Sequence, residues 1–493
     1  MKIKSFYLSS DKEVIVKIVK EILTLFKVEI SEQGPFDYER LEIVNEQQPG
    51  PVPKVTTSVT LVDDVSVQFS RTMAAEPDER PGAALHRMIK LNLYHIFVKD
   101  LGKEKAPWGI LHGVRPTKIV HRYIGQGLAA EAIIARLQCD YEVSAGKAAM
   151  ITELAFKQRP FLATTDDRMV SVYIGIPFCL SRCLYCSFPA YVLPGEKQLQ
   201  KFLTVLKQDL FAARDAVRHY GLKVQSIYIG GGTPTSLPEA QFDELLDLAR
   251  RSFYGPETIE FTVEAGRPDS ITEGKIHSMM AHGVDRVSVN PQTMQARTLR
   301  RIGRNHTPED IVSMFKRFRA AKMKHINMDL IIGLPGETPA DIKDTMEKVT
   351  ALQPDDITLH ALALKKGSRL KLQLEDIELP SDQMVQEMFA IAMQQVDGLG
   401  LKPYYLYRQG YMSGQLENVG CSIAGAESMY NIQIMEENQT IIGIGGAATT
   451  KVIHPLTRRL QTSFNAKDLT TYLNCVDKYI EKRSALLAEA FDH

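Results

Sequence analysis

Three cysteines, Cys179, Cys183 and Cys186, fall within eight residues of the stretch IPFCLSRCLYCSFP, 176–189. A structural zinc site takes four protein ligands, often as two separated pairs. This triple has no second pair nearby, so zinc would need Cys421 or a histidine as a distant fourth ligand. Thiolates on one tight loop are also the usual ligands of iron–sulfur clusters. A [4Fe–4S] cube held by three thiolates keeps one iron open to a small chelating molecule. The other three of the six cysteines, Cys139, Cys421 and Cys475, are scattered. They are expected to be reduced, buried, small apolar side chains.

The elements that must position this loop follow a regular rhythm. From Val170, apolar strands alternate with amphipathic helices six times: VSVYIGI, VQSIYIG, TIEFTVEA, DRVSVN, INMDLIIG and DDITLHALAL. Near-continuous apolar strands separated by helices predict a parallel sheet covered on both faces. Six β/α units fall short of a closed eight-fold barrel and predict a partial, three-quarter barrel. The loops after the strands of such a sheet gather at one mouth. Ser236 is expected to cap the helix SLPEAQFDELLDLARRSF, and Asp310 to complete a capping box with Thr307.

Several residues at this mouth could bind a small polar ligand. Gly230, Gly231 and Gly232 follow the second strand in YIGGGTPT, where glycines permit close backbone approach. The loop lacks the Lys-Ser/Thr pair of a phosphate loop. Glu264 ends the third strand, Gln292 the fourth, and Asp329 lies in the fifth. A carboxylate at the Glu264 position can accept hydrogen bonds from a ligand's hydroxyls. The guanidinium of Arg304 has a fork suited to a carboxylate.

The C-x3-C-x2-C spacing, with Tyr185 before the third cysteine, resembles the radical S-adenosylmethionine (SAM) superfamily. VYIGIPFC, IYIGGGTPTSL, RVSVNPQ, MDLIIGLPGET and YNIQIM…GIGGAATT resemble the oxygen-independent coproporphyrinogen III oxidase (dehydrogenase) family. APWGILHGVRPTK is similar to its longer HemZ-like branch. The resemblance implies a cluster on Cys179, Cys183 and Cys186 that binds SAM through its open iron. It implies SAM contacts at Tyr173, Tyr185, Gly232, Thr233, Glu264, Gln292, Arg304, Asp329 and Ala363, with a looser one near Thr449. The implied reaction starts from a 5′-deoxyadenosyl radical and converts two propionates of coproporphyrinogen III to vinyl groups. A reduced donor such as flavodoxin or ferredoxin would feed the cluster. Lys365, Lys366, Arg369 and Arg408 are candidate partners for the propionates.

Two positions depart from the family pattern. Gly175 replaces a histidine, and Phe188 stands where bona fide dehydrogenases carry a fourth cysteine. Related haem chaperones carry Cys-x-Phe there. Three readings therefore stay open: the dehydrogenase, a haem-trafficking protein that keeps the cluster, and another radical SAM reaction on a tetrapyrrole.

The chain has 493 residues and equal counts, 59 each, of basic and acidic side chains, which excludes a dominant nucleic-acid or anionic-membrane partner. No run reaches the ~18 apolar residues of a membrane span. The N-terminus breaks into charge before an apolar signal core develops. These features predict a cytoplasmic protein. Three domains are expected: an α+β accessory domain over 1–165, the partial barrel over 166–378, and an α/β extension over 379–493. Trp108, with Arg115 and Lys118, is either a docking surface or packed against the barrel.

Overall fold

A computed structural model describes residues 1–75, 81–111, 115–163, 166–364, 367–373, 377–409 and 412–492. Residues 112–114 of the tryptophan segment and 164–165 of the expected linker lie outside the described residues, as do Lys365 and Lys366. The chain divides into two compact units, Met1–Ala155 and Phe156–His493.

The first unit is a five-stranded sheet with helices on one face. Its strands are β1 (Lys2–Leu8), β2 (Glu29–Ile30), β3 (Tyr38–Gln48), β4 (Lys54–Val62) and β5 (Val67–Ala74), in the order β2-β1-β3-β4-β5. The stretch VTTSVTLVDDVSVQFS alternates at period two and forms the β4–β5 hairpin, with Val55, Thr57, Val59 and Leu61 facing inward. The helix Glu13–Leu25 buries Ile15, Ile18, Val19 and Ile22, a stripe at 3.6-residue spacing. Trp108 is 1% exposed and so forms no docking surface.

The second unit holds an eleven-stranded sheet. Its strands are β6 (Met169–Ile176), β9 (Lys223–Gly231), β10 (Glu260–Glu264), β11 (Arg286–Gln292), β12 (His325–Ile332), β13 (Asp356–Ala361), β14 (Lys402–Tyr407), β15 (Asn418–Ser422), β16 (Thr440–Gly445), β17 (Thr449–Ile453) and β18 (Leu460–Phe464). A separate pair, β7 (Phe178–Cys179) and β8 (Tyr191–Val192), belongs to the cysteine loop. Strands β6, β9, β10, β11, β12 and β13 pair in parallel in that order, the six expected barrel units. Valine, isoleucine and leucine run through them with little exposure because helices cover the outer face and the barrel closes the inner one.

Residues beyond 379 do not stand apart. Strands β15 and β14 extend the sheet antiparallel past β13, and β16 joins β6 in parallel at the opposite edge. Thr307 with Asp310 and Thr338 with Asp341 form full capping boxes. Ser236 does not cap its helix, which starts at Glu239 after Pro238. Its hydroxyl donates instead to the Phe178 carbonyl at 3.2 Å. The scattered cysteines are all free; Cys421 is buried as expected, but Cys139 is exposed and Cys475 half-buried. Among the described residues no helix is long and apolar enough to cross a membrane.

Candidate active site

The ends of the parallel strands converge on two adjoining cavities. The first, of about 90 Å³, is lined by all three cysteines, Tyr185, Gly232, Thr233, Glu264 and Arg304. The second, of about 530 Å³, shares Tyr185 and Cys186 with it and takes in Phe188, His360, Ala363 and Tyr407.

The cysteine loop is anchored at several points. Phe178–Cys179 pairs with Tyr191–Val192, and the amide of Leu184 donates to the Ile302 carbonyl at 2.9 Å. The buried Arg267 donates from Nη1 to the Ser181 carbonyl at 2.9 Å while its other nitrogens clasp Asp269. The Thr233 hydroxyl donates to Cys179 Sγ at 3.4 Å. A Cβ at Gly232 would stand 2.5 Å from the Phe178 carbonyl oxygen, so the glycine loop and the cysteine loop touch backbone to backbone. Burial pushes the Cys179 and Cys186 thiols up from their ordinary value. Among the described residues no three His, Cys, Asp or Glu side chains close on a single ion. Three thiols on one loop, at a cavity wall kept open by glycine, fit a cluster in which three irons take one thiolate each and the fourth takes none.

Arg304 is buried and heavily used. Its Nη2 donates to the Tyr185 hydroxyl at 2.9 Å, and its Nη1 reaches the carbonyls of Gly266 at 3.2 Å and Asn290 at 3.3 Å. Only Nε lacks a partner. Three of its five N–H groups are thus engaged, and Nε–H and the second Nη2–H remain.

Glu264 accepts from the Tyr228 hydroxyl at 2.8 Å and the Gly231 amide at 3.0 Å. Burial lifts its carboxyl to about 7 against these two donors. A carboxyl protonated in the folded chain but ionised in the unfolded one stabilises the fold at low pH. That contribution is complete below the unfolded value near 4.5 and is lost as pH rises through about 7. Apoprotein carrying Glu264→Gln is expected to lose less thermal stability than wild type between pH 5 and 8, by on the order of 2–3 kcal/mol. Paired melting curves at the two pH values check this; parallel shifts in the two proteins would refute it.

The remaining predicted residues are placed differently. Tyr173 lines neither cavity; it stacks in the barrel interior on Tyr228 and Tyr430, at centroid distances of 6.0 and 6.1 Å. Gln292 is buried at a bulge where Pro291 interrupts the ladder, with φ at +67°. Asp329 also lies inside, accepting from Asn327 Nδ2 at 2.7 Å. Burial raises its carboxyl, but contacts from His360, Asn327 and Thr358 together hold it below the ordinary range. Ala363 lines the second cavity; in the nearby glycine loop it is Ala447, rather than Thr449, that does so.

Of the candidate cations, Arg369 is exposed and lines neither cavity. Arg408 is 6% exposed and donates to the carbonyls of Leu416 and Gln415. Among the described residues, the cation that lines the larger cavity is Lys467, which sequence reading missed. His360 and Asn418 were missed too; a polar residue at the end of the sixth strand was the available signal for His360. At Gly175 a Cβ would come within 3.1 Å of the Gly446 carbonyl, because β16 runs alongside.

Comparison with known proteins follows the same pattern. The radical SAM superfamily model matches residues 173–349. The Bacillus subtilis oxygen-independent coproporphyrinogen-III oxidase-like protein HemZ is 39% identical over 439 residues, 87% of each chain. The Bacillus subtilis haem chaperone HemW is 30% identical over 283 residues, 57% of this chain and 70% of its own. The solved structure of Escherichia coli coproporphyrinogen III oxidase (HemN), a radical SAM enzyme, superposes with a TM-score of 0.52 at 24% identity over 66% of this chain and 72% of its own, a likeness of fold.

Proposed function

Because the chain belongs to the HemZ-like branch of the oxygen-independent coproporphyrinogen III oxidase family of radical SAM enzymes, we propose that it oxidatively decarboxylates coproporphyrinogen III to protoporphyrinogen IX. In this reading Cys179, Cys183 and Cys186 hold a [4Fe–4S] cluster. Cluster and SAM, once bound, would supply a carbon radical able to take hydrogen from a propionate β-carbon, with CO2 then lost and one electron passed to an external acceptor.

The protein's own part is geometry. Abstraction by a primary carbon radical needs close positioning and exclusion of rival hydrogen donors more than acid–base help. The Tyr185–Arg304 hydrogen bond fixes the wall between the cavities. Glu264, tied to the Gly231 amide, presents a carboxyl to the hydroxyls of a bound nucleoside. The adjoining apolar cavity holds the ring, and Lys467 at its rim faces a propionate. The observation that carries the reading is the contiguity of the two cavities through Tyr185 and Cys186. It puts a substrate-sized chamber against the thiol loop.

Phe188, in the wall of that chamber, favours a second reading as a haem chaperone that keeps the cluster. An anaerobic assay of reconstituted protein with coproporphyrinogen III, SAM, reductant and an electron acceptor separates the two. The expected result is CO2 with vinyl product and one SAM consumed per propionate. SAM cleavage without CO2 would sink the dehydrogenase reading, and stoichiometric haem binding without SAM cleavage would establish the chaperone.

A further inference from the structure

The cysteine loop is gripped by two short helices. The Leu184 amide donates to the carbonyl of Ile302, just past the helix Ala296–Arg301, and the Leu184 carbonyl accepts at 3.0 Å from Leu370 of the helix Arg369–Leu372. Leu184 and Tyr185 pack on Leu299, Ile302 and Leu370. A Cβ at Gly303 would lie 3.6 Å from the Arg182 carbonyl oxygen. Loop and helices thus form one packed patch.

The exposed side of this patch carries unneutralised positive charge. Arg182, next to Cys183, is exposed, and so are Arg300, Arg301 and Arg369. Arg182 donates to the Gly367 carbonyl at 3.1 Å. Among the described residues none of these four side chains meets a carboxylate. Arg297, one turn earlier on the same helix, does: it pairs with Asp341 at 2.6 Å. Leu372, one turn after Arg369, is 81% exposed. Unpaired arginines beside an exposed leucine have the make-up of an interface, apolar inside and charged at its rim. Acidic and basic residues balance over the whole chain, so the excess belongs to this surface. A nucleic acid would call on a broader run of cations to neutralise its phosphates. A cluster on this loop takes its electron from outside, and this surface lies against the loop's own backbone. In that exchange one electron passes, the carrier is oxidised, the cluster is reduced, and no bond forms or breaks.

We propose that Arg300, Arg301 and Arg369 form the docking surface for a small acidic one-electron carrier protein. Their charge steers the carrier onto the outer side of the cysteine loop. This rests on a cluster at Cys179, Cys183 and Cys186 and is independent of which tetrapyrrole reaction follows.

The test uses the full chain, reconstituted with iron, and an acidic flavodoxin. Flavin fluorescence reads binding, and the reduced flavodoxin then drives SAM cleavage. Wild type is expected to bind, with affinity falling as salt rises from about 0.01 M to about 0.15 M. Arg300→Glu with Arg301→Glu is expected to weaken binding about tenfold at low salt and to slow flavodoxin-driven cleavage in step. Cleavage driven by reduced methyl viologen, a small cation that needs no docking, is not slowed, and iron content matches wild type. Arg300→Lys with Arg301→Lys, which keeps the charge, retains binding. Unchanged flavodoxin affinity in the charge-reversed protein would overturn the proposal, as would equal slowing with both reductants. So would a wild type that binds neither flavodoxin nor ferredoxin but holds a single-stranded oligonucleotide at these arginines. Flavodoxin-driven SAM cleavage without CO2 from coproporphyrinogen III would remove the dehydrogenase reading and leave this docking surface standing.

Discussion

Gly232→Ala is expected to disable the cluster site while sparing the fold, and Gly230→Ala to leave the cluster site loaded. The added methyl at 232 would lie 2.5 Å from the Phe178 carbonyl oxygen and 2.9 Å from its carbonyl carbon and amide nitrogen. None of these atoms belongs to a flexible side chain. The same backbone is held by the Thr233 amide, which donates to the Phe178 carbonyl at 2.7 Å, and by Ser236. Relief must therefore move Phe178–Cys179 as a piece. That shifts Cys179 relative to Cys183 and Cys186 and breaks its contact with Thr233. Overpacking of this kind costs about 1–3 kcal/mol, small against the stability of a domain of this size. A misplacement near 1 Å in a reacting constellation can cost about 10²-fold in rate. Iron content and SAM cleavage should fall by about that factor, with melting lowered by only a few degrees. At Gly230 the methyl would meet the Glu264 carboxyl and the Tyr228 ring edge, side-chain atoms away from the cysteine loop, so iron loading should hold while SAM turnover falls. Iron analysis, ultraviolet–visible spectra and SAM turnover of both variants check the ranking. Equal iron losses, or full iron loading of Gly232→Ala, would show that the two loops are not coupled.

The six parallel strands and the cysteine loop were legible because both are local signals. Runs such as VSVYIGI and MDLIIGL are apolar throughout, and three cysteines within one short loop carry their own chemistry. What escaped was set by pairing across long stretches of chain. Strand β3 reads YERLEIVNEQQ, where only Leu41 and Ile43 are buried, too sparse an alternation to stand out. The association of β16 with β6 is visible in the Ser171–Gln439 hydrogen bond, across 268 residues. No sequence pattern announces that residues after 379 complete both edges of the barrel sheet.

The same limit governs the site. Arg304 is a charged residue twelve positions past a strand end, and its type alone invites a carboxylate. Three of its N–H groups go to Tyr185 and two carbonyls, a commitment only the folded loops reveal. Arg408 is likewise spent on carbonyls, while Lys467 reaches the cavity from a segment with no motif. The row His360–Asn418–Tyr407 exists only through the register of three strands.

Asp209→Ala is expected to destabilise the second unit more than any single substitution at the mouth. Asp209 sits on the helix Glu196–His219 and is fully buried. Its carboxylate accepts from Arg483 Nη1 at 2.6 Å, the Tyr472 hydroxyl at 2.9 Å and the Gly445 amide at 2.9 Å. Arg483 lies on the C-terminal helix Val476–Phe491, is 2% exposed, and also donates to the Gly443 carbonyl. One carboxylate thus ties two helices to the end of β16, the strand that closes the sheet against β6. Removing it strands a guanidinium in a dry interior, which costs about 3–5 kcal/mol. A native domain has only about 5–15 kcal/mol in total, so melting should fall by on the order of 10 °C. The cost lies in the unpaired charge more than in the lost attraction. Asp209→Leu combined with Arg483→Met should therefore recover most of the stability that Asp209→Ala loses. Thermal unfolding of the single and double variants checks this. A double variant no more stable than the single would show that the hydrogen bonds to Gly445 and Tyr472, rather than the isolated charge, carry the energy.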